Sequence, residues 1–446
     1  MYDTSLYWFT RDLRLDDNNA LQTAALTSKK LLCVYVVDLQ WFSPNAYASS
    51  SMGESRRRFL AESLQDLSEQ LSGMGQQLLV FHGKPVDVLK KLIRTYHVGA
   101  VFRSELAGVY EARQWQELQR QAENVQFRSF STHTLFTQQD LPFKLSRLPQ
   151  TFTQFRKLVE NRKVLPARDK ARCVPGPPLV PLHNIEHALR QIDPSYGEKR
   201  HSSAMFTGGE RAALTHLRGY FSSPAPSTYK ETRNALEGFS ASSKFSPWLA
   251  QGCVSPRRVL SVLREFENDV VANESTHWLY FELLWREYFQ WYACAHKQDL
   301  FRFQGITGKP GRRCFYPERY QRWANGNTPY PLVNACMRQL NATGYMSNRG
   351  RQIVASCLIH ELDLDWRWGA AYFEQQLVDY DVASNWGNWQ YLAGVGADPR
   401  GSRHFDIEKQ TAQYDPRGEF IAKWEGDQHQ THLDSVDAAD WPIMRP

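Results

Sequence analysis

The amino-acid sequence predicts an α/β fold joined to an all-α fold: an N-terminal doubly wound parallel sheet, a long connector and a C-terminal all-helical domain. Three observations carry this prediction. Short apolar runs alternate with helical patterns over the first 130 residues, later segments repeat with the helical period, and a Pro-rich stretch lies between them. The length of 446 residues also exceeds one typical core, which favours two domains.

Five β-rich runs form the predicted sheet, and the helical stretches between them form its outer layers. The runs cover residues 5–9, 31–37, 77–81, 100–103 and 125–130. The stretch ESRRRFLAESLQDLSEQL has one apolar stripe, and PVDVLKKLIRTY begins with Pro, which the first turn of a helix tolerates. Strand–helix alternation at this spacing predicts a parallel sheet with helices on both faces.

The turns and loops lack several common cofactor motifs. The turn after the first strand reads TRDLRLDDNNAL and has no GxGxxG, so a dinucleotide-binding dehydrogenase is disfavoured. The stretch GITGKP at 305–310 has Phe303 where a phosphate loop needs its first Gly, and Pro310 where it needs Ser or Thr. No HExxH and no paired Cys/His spacing occurs, so no metal site is predicted.

The second half of the chain reads as a connector followed by helices. Residues 133–205 are rich in Pro, Arg and Gln and keep neither structural period. Helical patterns cover 208–221, 247–250 running on past Ser255, 275–296, 331–342, 348–360 and 366–380. We therefore expect an α/β domain at 1–132, a connector at 133–205, a helical domain at 206–425 and a short tail at 426–446.

Composition limits the cellular setting. The net charge of +6 permits a phosphate-rich partner without requiring one. Seven cysteines, an odd number with no paired spacing, favour a reducing compartment. The N-terminus lacks the features of a signal peptide, and the longest apolar run, at 31–37, is too short to span a membrane. These features predict a cytoplasmic protein without membrane contact, which we treat as a monomer.

The segment SSKFSPWLAQG is the first of three places in the helical half that can carry chemistry. Ser242, Ser243 and Ser246 precede Pro247, which predicts a Ser246 N-cap with Pro at the first helical position. Hydroxyl groups, free N–H groups and the positive end of a helix dipole together make an anion site. A plain helix cap with solvated serines is the alternative.

The other two places combine charge with aromatic rings. Glu282, Trp285 and Arg286 share one face of the helix at 275–296, as either a functional cluster or a structural salt bridge beside a core Trp. Arg351 lies on a helix whose next neighbour carries Asp379 and Asp381, and it can meet either carboxylate. Such a pair indicates either function or a contact that locks the fold. Core packing is the default interpretation of the nearby indoles, Trp366, Trp386 and Trp389.

Several long motifs resemble the photolyase/cryptochrome family, and three of them resemble its DASH cryptochrome branch. The motifs are TRDLRLDDNNAL, SSKFSPWLA, WREYF, TGYMSNRGRQ, DYDVASNWGNWQY and GVGADPRGSRHFDIEKQ, of which the last three are DASH-like. They span essentially the whole chain in the family's order. The resemblance implies a non-covalently bound FAD in the helical domain and an antenna chromophore, commonly 5,10-methenyltetrahydrofolate, near the α/β domain.

The resemblance also implies roles for single residues around the flavin. The phosphate cradle would consist of Tyr229, Ser242, Ser243, Lys244 and Ser246. Arg351 and Asp379 would form an ion pair over the flavin ring, and Asp381 and Asn385 would face its polar edge. A neutral amide and a guanidinium near the ring favour its anionic, fully reduced form.

In the implied lesion pocket, Glu282 would hydrogen-bond a cyclobutane pyrimidine dimer, Trp285 would stack on it and Asn348 would contact it. Gln352 and Tyr391 stand where duplex-repairing relatives have Met and Trp, which makes the pocket more polar. Flipping a lesion out of the stack costs a few kcal/mol, least in single strands, and stacking on an aromatic ring returns about 1–3 kcal/mol per base. We therefore expect a preference for single-stranded DNA.

Two further predictions from the resemblance concern light-driven electron and energy transfer. Trp389 and Trp366 match the first two members of the family's electron-transfer chain. The third Trp is absent near 313, where the sequence reads RRCFYPERY, so substitutes are sought among Phe315, Tyr316, Tyr320 and Trp323. Glu105 is the match to the carboxylate that contacts the folate antenna.

The predicted function is a blue-light-dependent lyase that splits pyrimidine dimers, mainly in single-stranded DNA. The first alternative is a signalling photoreceptor or DNA-binding regulator that uses the same FAD without repair. Residues 426–446 are too few for the long tail of plant-type signalling cryptochromes, which favours repair. A helical nucleic-acid binder without flavin is the third interpretation, and binding to RNA stays open.

Overall fold

A computed structural model describes residues 1–181, 183–198, 205–308, 314–397 and 401–428. Its N-terminal part contains one parallel sheet with the strand order β3-β2-β1-β4-β5. The strands are β1 (Tyr2–Phe9), β2 (Ser28–Asp38), β3 (Leu78–Gly83), β4 (Ala100–Ser104) and β5 (Gln126–Phe130). The strand order reverses between β1 and β4, the place where open α/β sheets form a crevice. The predicted doubly wound sheet is confirmed.

Helices cover both faces of this sheet, as the alternating pattern predicted. They are α1 (Asn19–Thr27), α2 (Glu54–Ser72), α3 (Pro85–Thr95) and α4 (Val109–Gln121). Leu6 and Trp8 of β1 belong to one apolar core with residues of α3 and α4, whereas Tyr7 and Phe9 belong to a second core with residues of α1 and α2. Successive side chains of a strand point to opposite faces, so each strand contributes to both cores.

The stretch predicted as a connector contains two helices that the sequence pattern missed. They are α5 (Phe152–Val159) and α6 (Ile185–Ile192). Thr151 and Asn184 cap their first turns through the side chain. Each helix has only eight residues, which is shorter than the window over which helical periodicity becomes visible.

Within the described ranges, the chain beyond β5 adds no strand and is helical, which confirms the predicted all-α half. The helices are α7 (Glu210–Phe221), α8 (Tyr229–Thr232), α9 (Ser246–Gln251), α10 (Pro256–Asp269), α11 (Glu274–His296), α12 (Pro317–Asn325), α13 (Pro331–Thr343), α14 (Asn348–Ser356), α15 (Trp366–Gln376), α16 (Val382–Ala393), α17 (Ile407–Tyr414) and α18 (Glu419–Lys423). No helix of the described ranges has both the length and the apolar character needed to cross a membrane.

The helix predicted to run from 247 past Ser255 is in fact two helices. Gly252 ends α9 in the left-handed conformation, with φ +73°, and Ser255 caps α10 through its side chain. A Cβ at Gly252 would lie 1.7 Å from the carbonyl oxygen of Arg11, so the close approach of the turn after β1 requires glycine there. The predicted Ser246 cap was also wrong, because α9 begins at Ser246 itself and no side chain caps it.

Two other helices end earlier than their patterns predicted. The helix predicted over 348–360 stops at Ser356 and continues as a π-helical turn, Cys357–Glu361. The helix predicted over 366–380 stops at Gln376. The backbone N–H of Val378 then bonds to the carbonyl of Gly344 at 2.8 Å, which fixes the turn that carries the acidic residues before α16.

Candidate functional site

A cavity of about 520 Å³ lies among α9, α11, α14 and α16. This volume is in the usual range for a cofactor or ligand site. Most of the side chains that the sequence singled out line it together: Tyr229, Ser243, Ser246, Glu282, Trp285, Asn348, Arg351, Gln352, Asp379, Asp381 and Tyr391. We call this space the first cavity. The predicted residues meet there although they come from six separate parts of the helical half.

The remaining residues predicted around the cofactor do not line the first cavity. Ser242 and Lys244 flank the lining residue Ser243, and the Lys244 ammonium lies 4.9 Å from the ring centroid of Tyr345. Burial, and then the charge of Arg351, lower the pKa of Lys244 to about 8. The Asn385 amide is buried in α16 and donates to the carbonyl of Ala370 at 2.9 Å.

Arg351 forms an ion pair with Asp379, the nearer of its two candidate partners in sequence. Its Nη2 lies 2.8 and 3.0 Å from the two carboxylate oxygens of Asp379, and its Nε donates to the carbonyl of Met346 at 2.9 Å. Burial opposes the charge of Arg351, but Asp379 and the phenol of Tyr345 outweigh it and raise the pKa of the guanidinium. A fixed, charged pair therefore stands in the wall of the first cavity.

Asp381 is held by a different set of contacts. It caps α16, accepting from the backbone N–H of Ser384 at 2.8 Å and from the amide of Gln290 at 2.8 Å. Burial would raise its pKa, but the charges of Arg286 and Arg11, together with these hydrogen bonds, lower it. Asp381 therefore presents a stable negative charge to the cavity.

Glu282 pairs with Arg233, a partner that the sequence pattern did not identify. Arg286, which shares its helical face, instead donates to the carbonyls of His133 and Leu249. Arg233 contacts the Glu282 carboxylate and lies 4.4 Å from the ring centroid of Trp278. Burial raises the pKa of Glu282, and Arg233 partly opposes this shift. With 33% of its side chain exposed, Glu282 stays accessible from the cavity.

An aromatic group forms the wall beside Glu282. Phe152 of α5 stacks on Trp285 with ring centroids 3.8 Å apart and planes 13° apart. Tyr391 meets the edge of Trp285 at 6.0 Å, and Arg403 donates to the Tyr391 hydroxyl while lying 5.0 Å from its ring centroid. Phe152 and Arg403 were not predicted, because their contacts join segments far apart in sequence.

Trp389 and Trp366 belong to one connected set of aromatic rings, in which Tyr47 and Trp368 link Trp386 to Tyr320. Trp389 lies 6.3 Å from Trp323, which is followed by Tyr320 at 6.3 Å and then by Phe315 at 5.7 Å, all between centroids. Trp366 instead neighbours Trp386 at 5.8 Å. Three of the proposed substitutes for the missing third Trp thus form one series with Trp389. Position 313 itself lies outside the described residues.

A second cavity, of about 420 Å³, opens at the carboxyl ends of β1 and β2. Its lining includes Arg11, Asp38, Trp41, Arg56, Glu111 and Tyr380. Glu105 is exposed at the end of β4, accepts from the Ser131 hydroxyl at 2.8 Å and does not line this cavity. Glu111, in the first turn of α4, does line the second cavity. Its place shortly after Glu105, in the stretch VFRSELAGVYEA, was the sequence signal that could have identified it.

The chain matches two protein-family models over most of its length. One is described as the FAD binding domain of DNA photolyase and matches residues 278–437; the other is described as DNA photolyase and matches residues 5–174. Among curated relatives, a cryptochrome DASH of Idiomarina loihiensis is 51% identical, covering 99% of this chain and 97% of the relative. One from Vibrio parahaemolyticus is 49% identical, covering 98% and 97%.

Solved structures show the same similarity in three dimensions. A Synechocystis cryptochrome superposes with a TM-score of 0.89 at 38% identity, covering 95% of this chain and 89% of the other. A class III photolyase of Agrobacterium tumefaciens gives 0.82 at 27% identity, covering 95% and 86%. An archaeal photolyase of Sulfolobus tokodaii, described as holding two FAD molecules, gives 0.76 at 27% identity, covering 94% and 90%.

Proposed function

Since the chain belongs to the photolyase/cryptochrome family, in its DASH cryptochrome branch, we propose that it is a blue-light-dependent lyase. Its substrate is the cyclobutane pyrimidine dimer, mainly in single-stranded DNA. One observation carries the proposal: the first cavity joins the Arg351–Asp379 ion pair to Glu282 and Trp285. A site that holds a flavin and a lesion side by side needs both sets of groups in one space.

The groups around the first cavity fit FAD. Tyr229, Ser242, Ser243, Lys244 and Ser246 would hold its diphosphate, for which a buried ammonium and nearby hydroxyls are suitable partners. Arg351 with Asp379 would orient the flavin ring, with Asp381 toward its polar edge. The sequence resemblance also implies Asn385 at this edge, and its amide, which donates to the Ala370 carbonyl, would have to act from outside the cavity lining. When bound, FAD would supply light absorption and reversible one-electron chemistry. The protein's part is to position it and to set its charge.

The pocket residues suit a pyrimidine dimer that has left the base stack. When it is protonated, Glu282 can donate a hydrogen bond to a dimer carbonyl, and Asn348 adds an amide to the lining of the same cavity. Trp285 offers an aromatic wall for stacking. Gln352 and Tyr391 make this wall more polar, so it offsets less of the flipping cost, which favours unpaired substrates.

We further propose that the second cavity holds the antenna chromophore, 5,10-methenyltetrahydrofolate. Glu111 takes the role that the sequence assigned to Glu105, because it lines the cavity and Glu105 does not. Trp41 supplies an aromatic wall, and Arg11 supplies a charge for the glutamate carboxylates of a folate. Because the Sulfolobus tokodaii photolyase is described as holding two FAD molecules, a second flavin is the competing occupant. The absorption spectrum of the purified protein distinguishes the two.

The decisive experiment illuminates the purified, reduced protein with oligonucleotides that carry one defined dimer, in single- and double-stranded form. Loss of the dimer under blue light, faster in the single strand, supports the proposal. Dark samples and the Glu282→Ala variant serve as controls. No loss in either substrate leaves a signalling photoreceptor or DNA-binding regulator with the same flavin. A colourless preparation without FAD contradicts the flavin assignment itself.

The other predicted properties need separate measurements. We keep the cytoplasm as the proposed location, because the seven scattered cysteines favour a reducing compartment. The proposed monomer is tested by sedimentation. Binding to RNA is tested by competition against the dimer-containing single strand.

A further inference from the structure

Arg11 belongs to the TRDLR turn after β1, and the proposed function uses its charge only as a contact for the antenna. The turn docks against the helical half at the end of α9. A Cβ at Gly252 would lie 1.7 Å from the Arg11 carbonyl oxygen, and Arg14 donates to the Gly252 carbonyl at 2.9 Å. The α9 helix begins at the first cavity with Ser246. The backbone of Arg11 is therefore fixed against an element that lines the first cavity.

The side chain of Arg11 reaches the wall between the two cavities. Its Nη1 donates to the carbonyl of Tyr380 at 2.9 Å, and its guanidinium lies 5.4 Å from the Tyr380 ring centroid. Asp379 and Asp381 line the first cavity, whereas Tyr380 and Val382 line the second. Residues 379–382, which lead from a turn into α16, thus place alternate residues on opposite sides, and their backbone lies between the two cavities.

Charges on both sides of this wall interact with each other. The positive charge of Arg11 is among the influences that lower the pKa of Asp381, after the larger effect of Arg286. On its other side, Arg11 is stabilised by Glu111 of the second cavity, and the pKa of its guanidinium is raised although burial opposes this. Arg56 and Glu374 lie beside Tyr380, on the same side as Arg11. Interactions inside a protein are screened far less than those at its surface.

We propose that Arg11 electrostatically couples the two cavities: it stabilises negative charge on the flavin in the first cavity, and an anionic ligand in the second cavity weakens that stabilisation. The coupling rests on the proposed binding of FAD in the first cavity. It assigns to the N-terminal turn a positioning role, because Arg11 acts through Tyr380 and Asp381. Occupancy of the second cavity would then lower the reduction potential of the flavin.

The test measures the reduction potential of the bound flavin in the full-length holoprotein. Arg11→Gln removes the charge, and we expect a more negative potential. Arg11→Lys keeps the charge, and we expect a potential close to that of the unmodified protein. Arg113→Gln is the matched control, because it removes the same charge from an exposed site in α4, where solvent screens it. An Arg11→Gln potential equal to that of the Arg113→Gln control overturns the proposal.

A second measurement covers the case in which Arg11→Gln does not fold. The unmodified protein, freed of antenna, is titrated with 5,10-methenyltetrahydrofolate while the flavin potential is followed. A shift to more negative potential supports the coupling, and saturable binding without a shift, or no binding, overturns it. Dimer repair is not a readout here. A potential that shifts in a protein without repair activity would refute the proposed lyase and leave the coupling standing.

Discussion

Glu282 shows how a single side chain in the first cavity takes its properties from a distant partner. Burial raises its pKa, and the charge of Arg233, 49 residues away in sequence, pulls it back. The protonated carboxyl donates a hydrogen bond, whereas the ionised form only accepts. The Arg233 contact thus helps to set the pH range over which Glu282 can donate a hydrogen bond to a dimer carbonyl.

Replacing Arg233 is expected to move the pH dependence of dimer binding upward. In Arg233→Gln, the opposing charge is gone, so the pKa of Glu282 rises further and the donor form persists to higher pH. The affinity for a dimer-containing single strand, measured in the dark by anisotropy, should fall with rising pH at a higher midpoint than in the unmodified protein. Arg233→Lys should restore the original midpoint. An unchanged or lower midpoint in Arg233→Gln contradicts this role.

Glu287, one residue after Arg286 on α11, makes a separate prediction about stability. Burial raises its pKa to about 7, while hydrogen bonds from the Leu135 and Phe136 N–H groups and the Trp291 indole oppose the shift. The folded state therefore holds this proton more tightly than the unfolded chain. The proton on Glu287 therefore contributes fully to the free energy of unfolding below the ordinary Glu pKa, and this contribution is lost as pH rises through about 7.

Denaturant unfolding of the unmodified protein and of Glu287→Gln over pH 4.5 to 8 measures this effect. The free energy of unfolding of the unmodified protein, relative to the variant, should fall by up to about 3 kcal/mol as pH rises, since one pKa unit corresponds to about 1.4 kcal/mol. The neutral amide of the variant does not titrate. Parallel pH profiles of the two proteins contradict the raised pKa.

The sequence predicted some of the side-chain contacts in the first cavity and missed others. Neighbouring segments left Asp379 and Asp381 both open as partners of Arg351, the resemblance implied Asp379, and the structure has the pair with Asp379. Arg233 and Phe152 were missed because their contacts depend on how separate helices pack, and a single sequence has no pattern for that. The π-helical turn after Ser356 was missed for a related reason, since tertiary contacts decide where a helix changes its hydrogen bonding.

At the scale of elements, apolar strand runs and long helical patterns predicted structure well, whereas short helices were not recognised. The five strands and α11 lie within a few residues of their predicted bounds, because a strand needs only a short β-rich run and the helical period of α11 repeats over 23 residues. By contrast, α5 and α9 have eight and six residues and were respectively missed and misjudged. The short helix α5 still matters to the site, because it brings the Phe152 ring onto Trp285.

The packing of α12, α15 and α16 makes a prediction about electron transfer. Trp323 of α12 lies 6.3 Å from Trp389 of α16, and its indole donates to the Val354 carbonyl at 2.9 Å. We expect Trp323→Phe to slow photoreduction of the bound flavin several-fold, because phenylalanine is harder to oxidise than tryptophan. Flash absorption spectroscopy with a thiol reductant measures the rate, at matched flavin content.

Trp366→Phe is the comparison for that measurement. Trp366 neighbours Trp386, which Tyr47 and Trp368 link to Tyr320. A slower rate in Trp323→Phe alone identifies the contact between Trp389 and Trp323 as part of the main route to the surface. A slower rate in Trp366→Phe alone contradicts the prediction and returns the role to the pair that the sequence resemblance implied.

At the scale of the whole molecule, both cavities lie near the contact between the two halves of the chain. The carboxyl ends of β1 and β2 line the second cavity together with residues of the helical half, the helices line the first cavity, and residues 379–382 lie between them. Sequence patterns predicted each half, and the family resemblance named many of the polar residues that line the first cavity. They could not predict the second cavity's lining, because it joins side chains from β-strand ends, α2, α4 and the turn before α16, whose proximity exists only in the folded chain.

Substrate preference is the property of the whole molecule that two cavity residues should control. Gln352 and Tyr391 both line the first cavity, and Arg403 holds the Tyr391 hydroxyl. The combined variant Gln352→Met and Tyr391→Trp gives the wall a larger and less polar surface. Stacking worth about 1–3 kcal/mol per base would then offset more of the cost of flipping a dimer out of a duplex. We expect the variant to split dimers in double-stranded DNA at least several-fold faster, with little change for single strands.

Tyr391→Phe, which loses only the hydroxyl contact to Arg403, is the matched control and should keep the single-strand preference. If the ratio of single- to double-strand rates is the same in all three proteins, the polarity of this wall does not set the preference, and the cost of flipping must be met outside the cavity.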